Sequence, residues 1–351
     1  MATTLLSYDD VLNRTNKNKR FLLLGNGFSM SYNYERFSFT SLLESAVNKG
    51  LIQKTSSIYA VFKEFDTKDF EEVVKLLETS VAVLKQYGAI SPEYEELILT
   101  DSLSLKNYLV EVITNNHPEK ITSISDKAYL NSAKFIKEYD RVYTLNYDLL
   151  LYWSTIKLQS FLNDNIIEES RLGIHDGFHD PYENSTKYVV YRNDKLSFEV
   201  SYLHGALHIY DKKNEIIKNT YSRTDKTLKE QTLENLEKDI YPIFISEGTS
   251  EQKYTKIIHN AYLNHCYRSL SSIGAIRTDN SLVIFGTLIK RNDAHIRKAI
   301  LKNNVSQIYI GVGSEEEVRE FDDFLAEIKQ RKLRKEVHFY DYRTANVWRE
   351  G

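Results

Sequence analysis

Residues 21–29 read FLLLGNGFS, and the fold turns on how that stretch is read. Four large apolar residues in a row, with no polar alternation, make either a central strand or a buried helical turn. The glycines at 25 and 27 tilt the choice towards a strand that is covered on both faces and ends in a tight turn. Downstream, the spacing becomes helical. SFTSLLESAVNKGLI (38–52) places apolar residues three and four apart, and DFEEVVKLLETSVAVLKQYG (69–88) repeats the pattern with Asp69 as a helix cap. EYEELILTDSLSLKNYLVEVITNN (93–116) and residues 124–139 continue it, so about a hundred residues of helix precede the next strand, RVYTLNYD (141–148).

Beyond that strand, LLLYWSTIKLQSFL (149–162) reads as helix and residues 165–185, with His175 and His179, as an exposed polar loop. KYVVYR (187–192) and LSFEVSYLHG (196–205) look like two strands joined at Asn193–Asp194. DIYPIFISEG (239–248), SLVIFG (281–286), SQIYIGVG (306–313) and EVHFYD (336–341) follow, separated by helical text at 251–273, 292–303 and 314–330. Strands that alternate with helices and read as continuous apolar runs predict an α/β fold with an open, mainly parallel, Rossmann-like sheet. We expect a single domain over 1–351, with a large helical insertion over 40–138.

Composition narrows the function. The formal net charge is −3 and the basic residues are dispersed, the densest run being RKLRK at 331–335, a solvated helix end. No concentrated positive footprint is visible, so direct sequence-specific nucleic-acid binding is not expected. The single cysteine, Cys266, excludes an intrachain disulfide and a zinc site built on several thiolates; in AYLNHCYRSL it reads as a partly buried helix residue. The amino terminus has no continuous apolar run, and no stretch approaches the roughly 18 apolar residues of a membrane span. A cytoplasmic protein without a membrane partner is expected.

Five polar clusters follow strands: GNGFS, TLNYD, YLHG, ISEG and FGTLIKRND. In open parallel sheets, ligands lie outside the carboxyl ends of the strands. Gly25 and Gly27 either admit a pyrophosphate to the backbone or make a tight turn, and Ser29 bonds a ribose or phosphate or caps a helix. No P-loop lysine follows, which argues against nucleoside triphosphate hydrolysis. Asn146, in Thr144-Leu145-Asn146-Tyr147-Asp148, carries a donor and an acceptor and does not titrate, which suits orienting a ribose, a carboxamide or a water. Asn146 and Asp148 equally suit closing an Asx-turn. His204 is placed to exchange a proton or to be a satisfied structural histidine, and Gly205 beside it leaves room for a bulky ligand. His208 shares a face with His204 only if the segment is helical. Without HExxH or a third ligand, no metal site is expected. Gly286 and Thr287 fit the second half of a dinucleotide cradle, while Asp293, before AHIRKAIL, is either part of it or a helix N-cap.

In this order, GNGFS (25–29), DFEEVVKLL (69–77), TLNYD (144–148), HG (204–205) and FGTLIKRNDAHI (285–296) resemble the sirtuin-like (SIR2-like) superfamily, particularly its bacterial antiphage-defence members. FISEGTSEQKYTKIIHNAYL (244–263) also resembles a related bacterial family of uncharacterised proteins. The resemblance spans residues 20–311. It implies NAD+ as substrate, with Gly25, Asn26, Gly27, Phe28 and Ser29 as the phosphate loop and Thr144, Gly205, Gly286, Thr287 and Asp293 completing the cofactor site. Asn146 and His204 match the catalytic asparagine and histidine, and Asp148 either stabilises positive charge or positions Asn146. Asn26 departs from the family's alanine. The four-cysteine zinc module of deacylating members is absent, so no structural zinc is expected. NAD+ hydrolysis to ADP-ribose and nicotinamide is then favoured over deacylation, ADP-ribosyl transfer or mere sensing of NAD+ or ADP-ribose. The resemblance further implies an assembly, either a homo-oligomer or a complex with an activating protein of the defence system.

Overall fold

A computed structural model describes residues 5–37, 42–115, 117–181, 188–195, 197–212, 215–220, 226–238, 240–245, 249–274, 279–290 and 293–349. Its centre is a six-stranded, all-parallel sheet. In chain order the strands are β1 (Lys19–Leu24), β2 (Arg141–Thr144), β5 (Val200–Tyr202), β9 (Asn280–Phe285), β10 (Gln307–Val312) and β11 (Glu336–Asp341). Every residue of β9 is buried, as are all but the first of β1 and of β10. Helices cover both faces of such a sheet, and that is why the strands read as unbroken apolar runs.

Across the sheet the order is β11-β10-β9-β1-β2-β5. The chain therefore builds outward from β1 to one side through β2 and β5, then returns to build the other side from β9. The reversal falls between β1 and β9, the point at which open α/β sheets take their ligands. The α/β class and the parallel, Rossmann-like sheet expected from the sequence are both present.

Between β1 and β2 the described residues are mainly helical. The longer helices are α4 (Leu42–Asn48), α5 (Ser57–Glu64), α6 (Phe70–Gln86), α7 (Pro92–Asn115) and α8 (Asp126–Ile136). Asp69 caps α6 through a 3.4 Å bond from the Glu72 amide. Helices α6 and α7 pack on each other. Tyr87 and Tyr94, near the turn that joins the two helices, and Leu103, midway along α7, remain largely exposed.

A second sheet departs from the sequence reading. It is antiparallel, in the order β3-β4-β7-β6-β8: β3 (Phe178–His179), β4 (Tyr188–Tyr191), β6 (Gly205–Lys212), β7 (Glu215–Asn219) and β8 (Pro242–Phe244). Residues 165–181 are thus not wholly loop, since they contribute β3. KYVVYR and LSFEVSYL do not form a hairpin at Asn193–Asp194: β4 pairs with β3 and β7, whereas β5 joins β2 in the parallel sheet. PIF is an edge strand of the second sheet, and 205–212 is strand, so His204 and His208 do not share a helical face. Ser246–Gly248 of the ISEG cluster, and Arg291 and Asn292 of FGTLIKRND, lie outside the described residues. The two sheets meet at Leu203–His204, where β5 runs directly into β6.

Candidate functional site

Register brings the clusters to one edge. Leu24 pairs with Thr144 on one side and Phe285 on the other, and Thr144 pairs with Tyr202. Residues 25–29, 145–148, 203–205 and 286–287 therefore all leave the sheet at its carboxyl end.

The glycines at the switch point serve packing between loops. The Gly25 amide donates to Phe285 O (2.9 Å), Gly27 N to Gly286 O (2.8 Å) and Phe28 N to Gly25 O (3.0 Å). A Cβ on Gly27 would stand 2.4 Å from Gly286 Cα, and one on Gly25 would stand 2.3 Å from Thr287 Cβ. Gly286 has φ +73°, and its own Cβ would stand 2.6 Å from Gly27 Cα. These amides are already paired with protein carbonyls, so in this conformation they do not form an open phosphate cradle. The following helix, α2 (Gly27–Tyr32), has only six residues. Asn26 turns its Nδ2 to Phe37 O (2.6 Å), and Phe28 is fully buried against Trp348, whose Nε1 donates to Phe28 O (3.0 Å). Neither side chain of Asn26 and Phe28 is presented to a cofactor. Thr287 Oγ1 accepts from Ile289 N (3.0 Å).

Ser29 faces the neighbouring strand end. Its hydroxyl donates to Asp148 Oδ2 (2.5 Å) and accepts from Asn146 Nδ2 (2.9 Å). Asp148 Oδ1 accepts from Leu150 N (2.9 Å), and the Asn146 amide donates to Thr144 Oγ1 (3.0 Å). The chain Asn146 → Ser29 → Asp148 thus runs in one direction and fixes which way the asparagine amide points. Burial raises the Asp148 pKa to about 6, against the lowering effect of its bonds from Ser29 and the Leu150 amide. Asp148 acts on Asn146 through Ser29, so its geometry is that of a positioning group. Behind the loop, His117 Nδ1 donates to Pro118 O (2.8 Å), which leaves Nε2 to accept from Leu149 N (2.9 Å). Burial holds the His117 pKa down at about 4 and keeps the ring neutral in that role.

His204 lies beside this pair, because Leu203 N donates to Thr144 O (2.9 Å) and Leu207 N to Tyr147 O (2.8 Å). Its Nε2 is 3.0 Å from His295 Nε2, and His295 Nδ1 is 3.0 Å from Ser250 Oγ. Burial lowers both histidines, to about 3 for His204 and about 4 for His295, so both are neutral near pH 7. Two tautomer patterns satisfy the row. If His295 donates to His204, no lone pair of His204 is left. If His204 donates from Nε2, its Nδ1 is an acceptor. Gly205 (φ +76°) gives no room to a ligand, because a Cβ there would lie 2.0 Å from Ile243 O of β8. Asp293 stands at the N-cap position of α13 (Ala294–Lys302) but makes no capping bond; it pairs with Lys253 Nζ at 3.0 Å, largely buried.

Cys266 is completely buried in α12 (Ala261–Ser272), and desolvation pushes its thiol up to about 12, which removes it as a nucleophile. His208 stacks on Tyr152 (4.5 Å) and belongs to a different environment from His204. Sequence reasoning missed Ser250, Lys253 and His117, and noted His295 only as part of a cluster. Nothing local marks them, since each acts on a residue more than 30 positions away.

Residues 22–348 match the profile of a family described as a domain of unknown function (DUF4917), and the chain belongs to that family. The match begins inside β1 and ends at Trp348, so it takes in both sheets and the helical segment between β1 and β2. None of the curated proteins matches the chain.

Proposed function

We propose that the chain is an NAD+ glycohydrolase acting in bacterial antiphage defence, resembling SIR2-like enzymes. What supports this most is the adjacency of Asn146 and His204 at the carboxyl ends of paired strands, each held by a bonded partner. The reaction asks little of a protein. The bond from C1′ to the pyridinium nitrogen breaks, its electron pair neutralises departing nicotinamide, and water adds to C1′ with loss of a proton. Asn146 orients the water or the ribose. His204, too weak a base at a pKa of about 3 to carry much proton transfer, accepts a ribose hydroxyl at Nδ1 in the tautomer that donates to His295. Asp148 and Ser29 hold Asn146 in place.

An unregulated enzyme of this kind would drain its host's cofactor, so quiescence until a partner or phage-derived signal arrives is part of the proposal. The occupied amides of Gly25, Gly27 and Phe28 are compatible with such a resting state. A second reading is a subunit that senses NAD+ or ADP-ribose without consuming it. Deacylation or ADP-ribosyl transfer at this site would consume NAD+ only with an acceptor present.

The experiment is nicotinamide and ADP-ribose release by the activated assembly, with Asn146→Ala and His204→Ala checked for fold by circular dichroism. Loss of a positioned transition-state partner costs on the order of 10²-fold in rate. Full-rate hydrolysis in both folded variants would reject the site. Binding without turnover in wild type would favour the sensor.

A further inference from the structure

We propose that His175, His179 and Asp194 form a binding site for one divalent transition-metal ion of the zinc type. The backbone fixes all three positions. His175 O accepts from the Glu199 and Val200 amides (2.9 and 3.1 Å), which anchors it to the amino end of β5, whereas Asn146 lies beyond the carboxyl end of the neighbouring β2. Gly177, at φ +89°, turns the chain where any side chain would meet the Phe198 ring at 2.5 Å. His179 then lies on β3 opposite Val190 of β4, and Asp194 follows the end of β4.

The side chains converge. His175 Nε2 is 3.2 Å from His179 Nε2, and that same His179 Nε2 is 2.9 Å from Asp194 Oδ2. All three ligand atoms lie within 4.8 Å of one another. Hydrogen bonding alone satisfies this arrangement poorly. A carboxylate only accepts, and His179 Nε2 carries at most one proton, which cannot serve both neighbours. A cation at the centre satisfies all three lone pairs at once. Ligands 2.0–2.1 Å from a tetrahedral zinc stand roughly 3.3 Å apart, close to the spacing seen here.

A second observation supports the site. Glu199 Oε2 is shielded from solvent, has no hydrogen-bond partner among the described residues, and lies 3.8 Å from His175 Nδ1. Metal at Nε2 puts the His175 proton on Nδ1, where a carboxylate is the usual outer partner of a metal-bound histidine. That proton displaces the long 3.4 Å contact from the Gly177 amide. The three ligand side chains keep partial exposure, 22%, 29% and 42%, so an ion can enter and a water can take the fourth position. Two imidazoles and one carboxylate suit zinc or cobalt better than magnesium or calcium, which prefer all-oxygen sets. The scarcity of cysteine excludes a thiolate site and leaves this one open. The other cluster of the same composition, His204, Asp293 and His295, differs in that Lys253 already supplies a buried cation to Asp293.

The test uses untagged, chelator-stripped full-length protein titrated with Co2+, followed by displacement with Zn2+. Wild type is expected to bind one ion per chain, with the visible absorption of low-coordinate cobalt. His179→Ala and Asp194→Asn should each weaken binding by at least ~10-fold, and Glu199→Gln by up to about that much. His295→Gln should bind as wild type does. Asp194→Asn keeps the shape of a partly exposed side chain, so it tests the site even if His179→Ala misfolds. Failure of wild type to bind, undiminished binding in Asp194→Asn, or loss of binding in His295→Gln would overturn the proposal.

Discussion

Replacing Asp148 by asparagine tests the polar chain that supports Asn146. The carboxyl of Asp148 is buried, and its pKa rises from 3.8 to about 6 because desolvation outweighs the bonds from Ser29 and the Leu150 amide. The folded state therefore holds this proton more tightly than the unfolded state. Between the two values the native protein binds more protons, so stability falls as pH rises through the window from about 4 to about 6. The full shift corresponds to about 3 kcal/mol, and the part lost between pH 5 and pH 7 to about 1.4 kcal/mol. An asparagine cannot ionise, so it abolishes this dependence. It also reverses one donor: Ser29 Oγ, which accepts from Asn146 and donates to Asp148, would face an amide N–H or give up the Leu150 bond. A buried hydrogen bond lost in that way costs about 1–3 kcal/mol. The stability of Asp148→Asn relative to wild type should thus improve by about 1.4 kcal/mol between pH 5 and pH 7, because only wild type loses stability over that range. Urea denaturation of both proteins at half-unit pH steps measures the difference. A difference that stays flat across pH 5–7 would show that Asp148 is not a buried acid of raised pKa, and its assigned place behind Ser29 would fall with it.

Two further perturbations separate packing from ligand contact and probe the second sheet. Gly27→Ala should cost at least ~2 kcal/mol in urea denaturation, because its Cβ meets backbone of the Gly286 loop, whereas Gly88→Ala, at φ +59° with nothing within 4 Å, should cost about 1 kcal/mol; equal costs would refute the close approach of the two loops. Lys218→Met should cost about 3–5 kcal/mol in the same assay, because it strands Asp176, whose Oδ2 lies 2.5 Å from Lys218 Nζ in a buried pair flanked by the Tyr152 and Phe178 rings. Recovery of stability in Lys218→Met/Asp176→Leu would identify the uncompensated charge as the cause, and a mild effect of the single change would dismiss the pair as structural support.

The parallel sheet was legible because burial on both faces writes itself into the chain: FLLL, SLVIF and QIYIGV are central strands and carry no polar alternation. The antiparallel sheet was not. Several of its strands have only two to four residues, and β6 is buried at six successive positions, so period-two alternation is missing where it would have been diagnostic. Its pairings also skip neighbours, β4 with β7 and β6 with β8, and no local signal encodes that. The site divides along the same line. That Asn146, His204, Gly25 and Gly286 would stand at strand ends followed from the strands themselves, but their partners did not, since Ser29 and Asp148 are 119 residues apart and His204 and His295 are 91 apart. The glycines show the limit most sharply. A glycine beside a strand end is required when a ligand must come close and equally when another backbone must, and the sequence is the same in both cases. Here Gly27 answers to Gly286, and Gly205 answers to Ile243 of β8. A sheet edge holds loops from both of its halves at the switch point, so the residues that give a ligand access there are the same residues that let the loops close on one another.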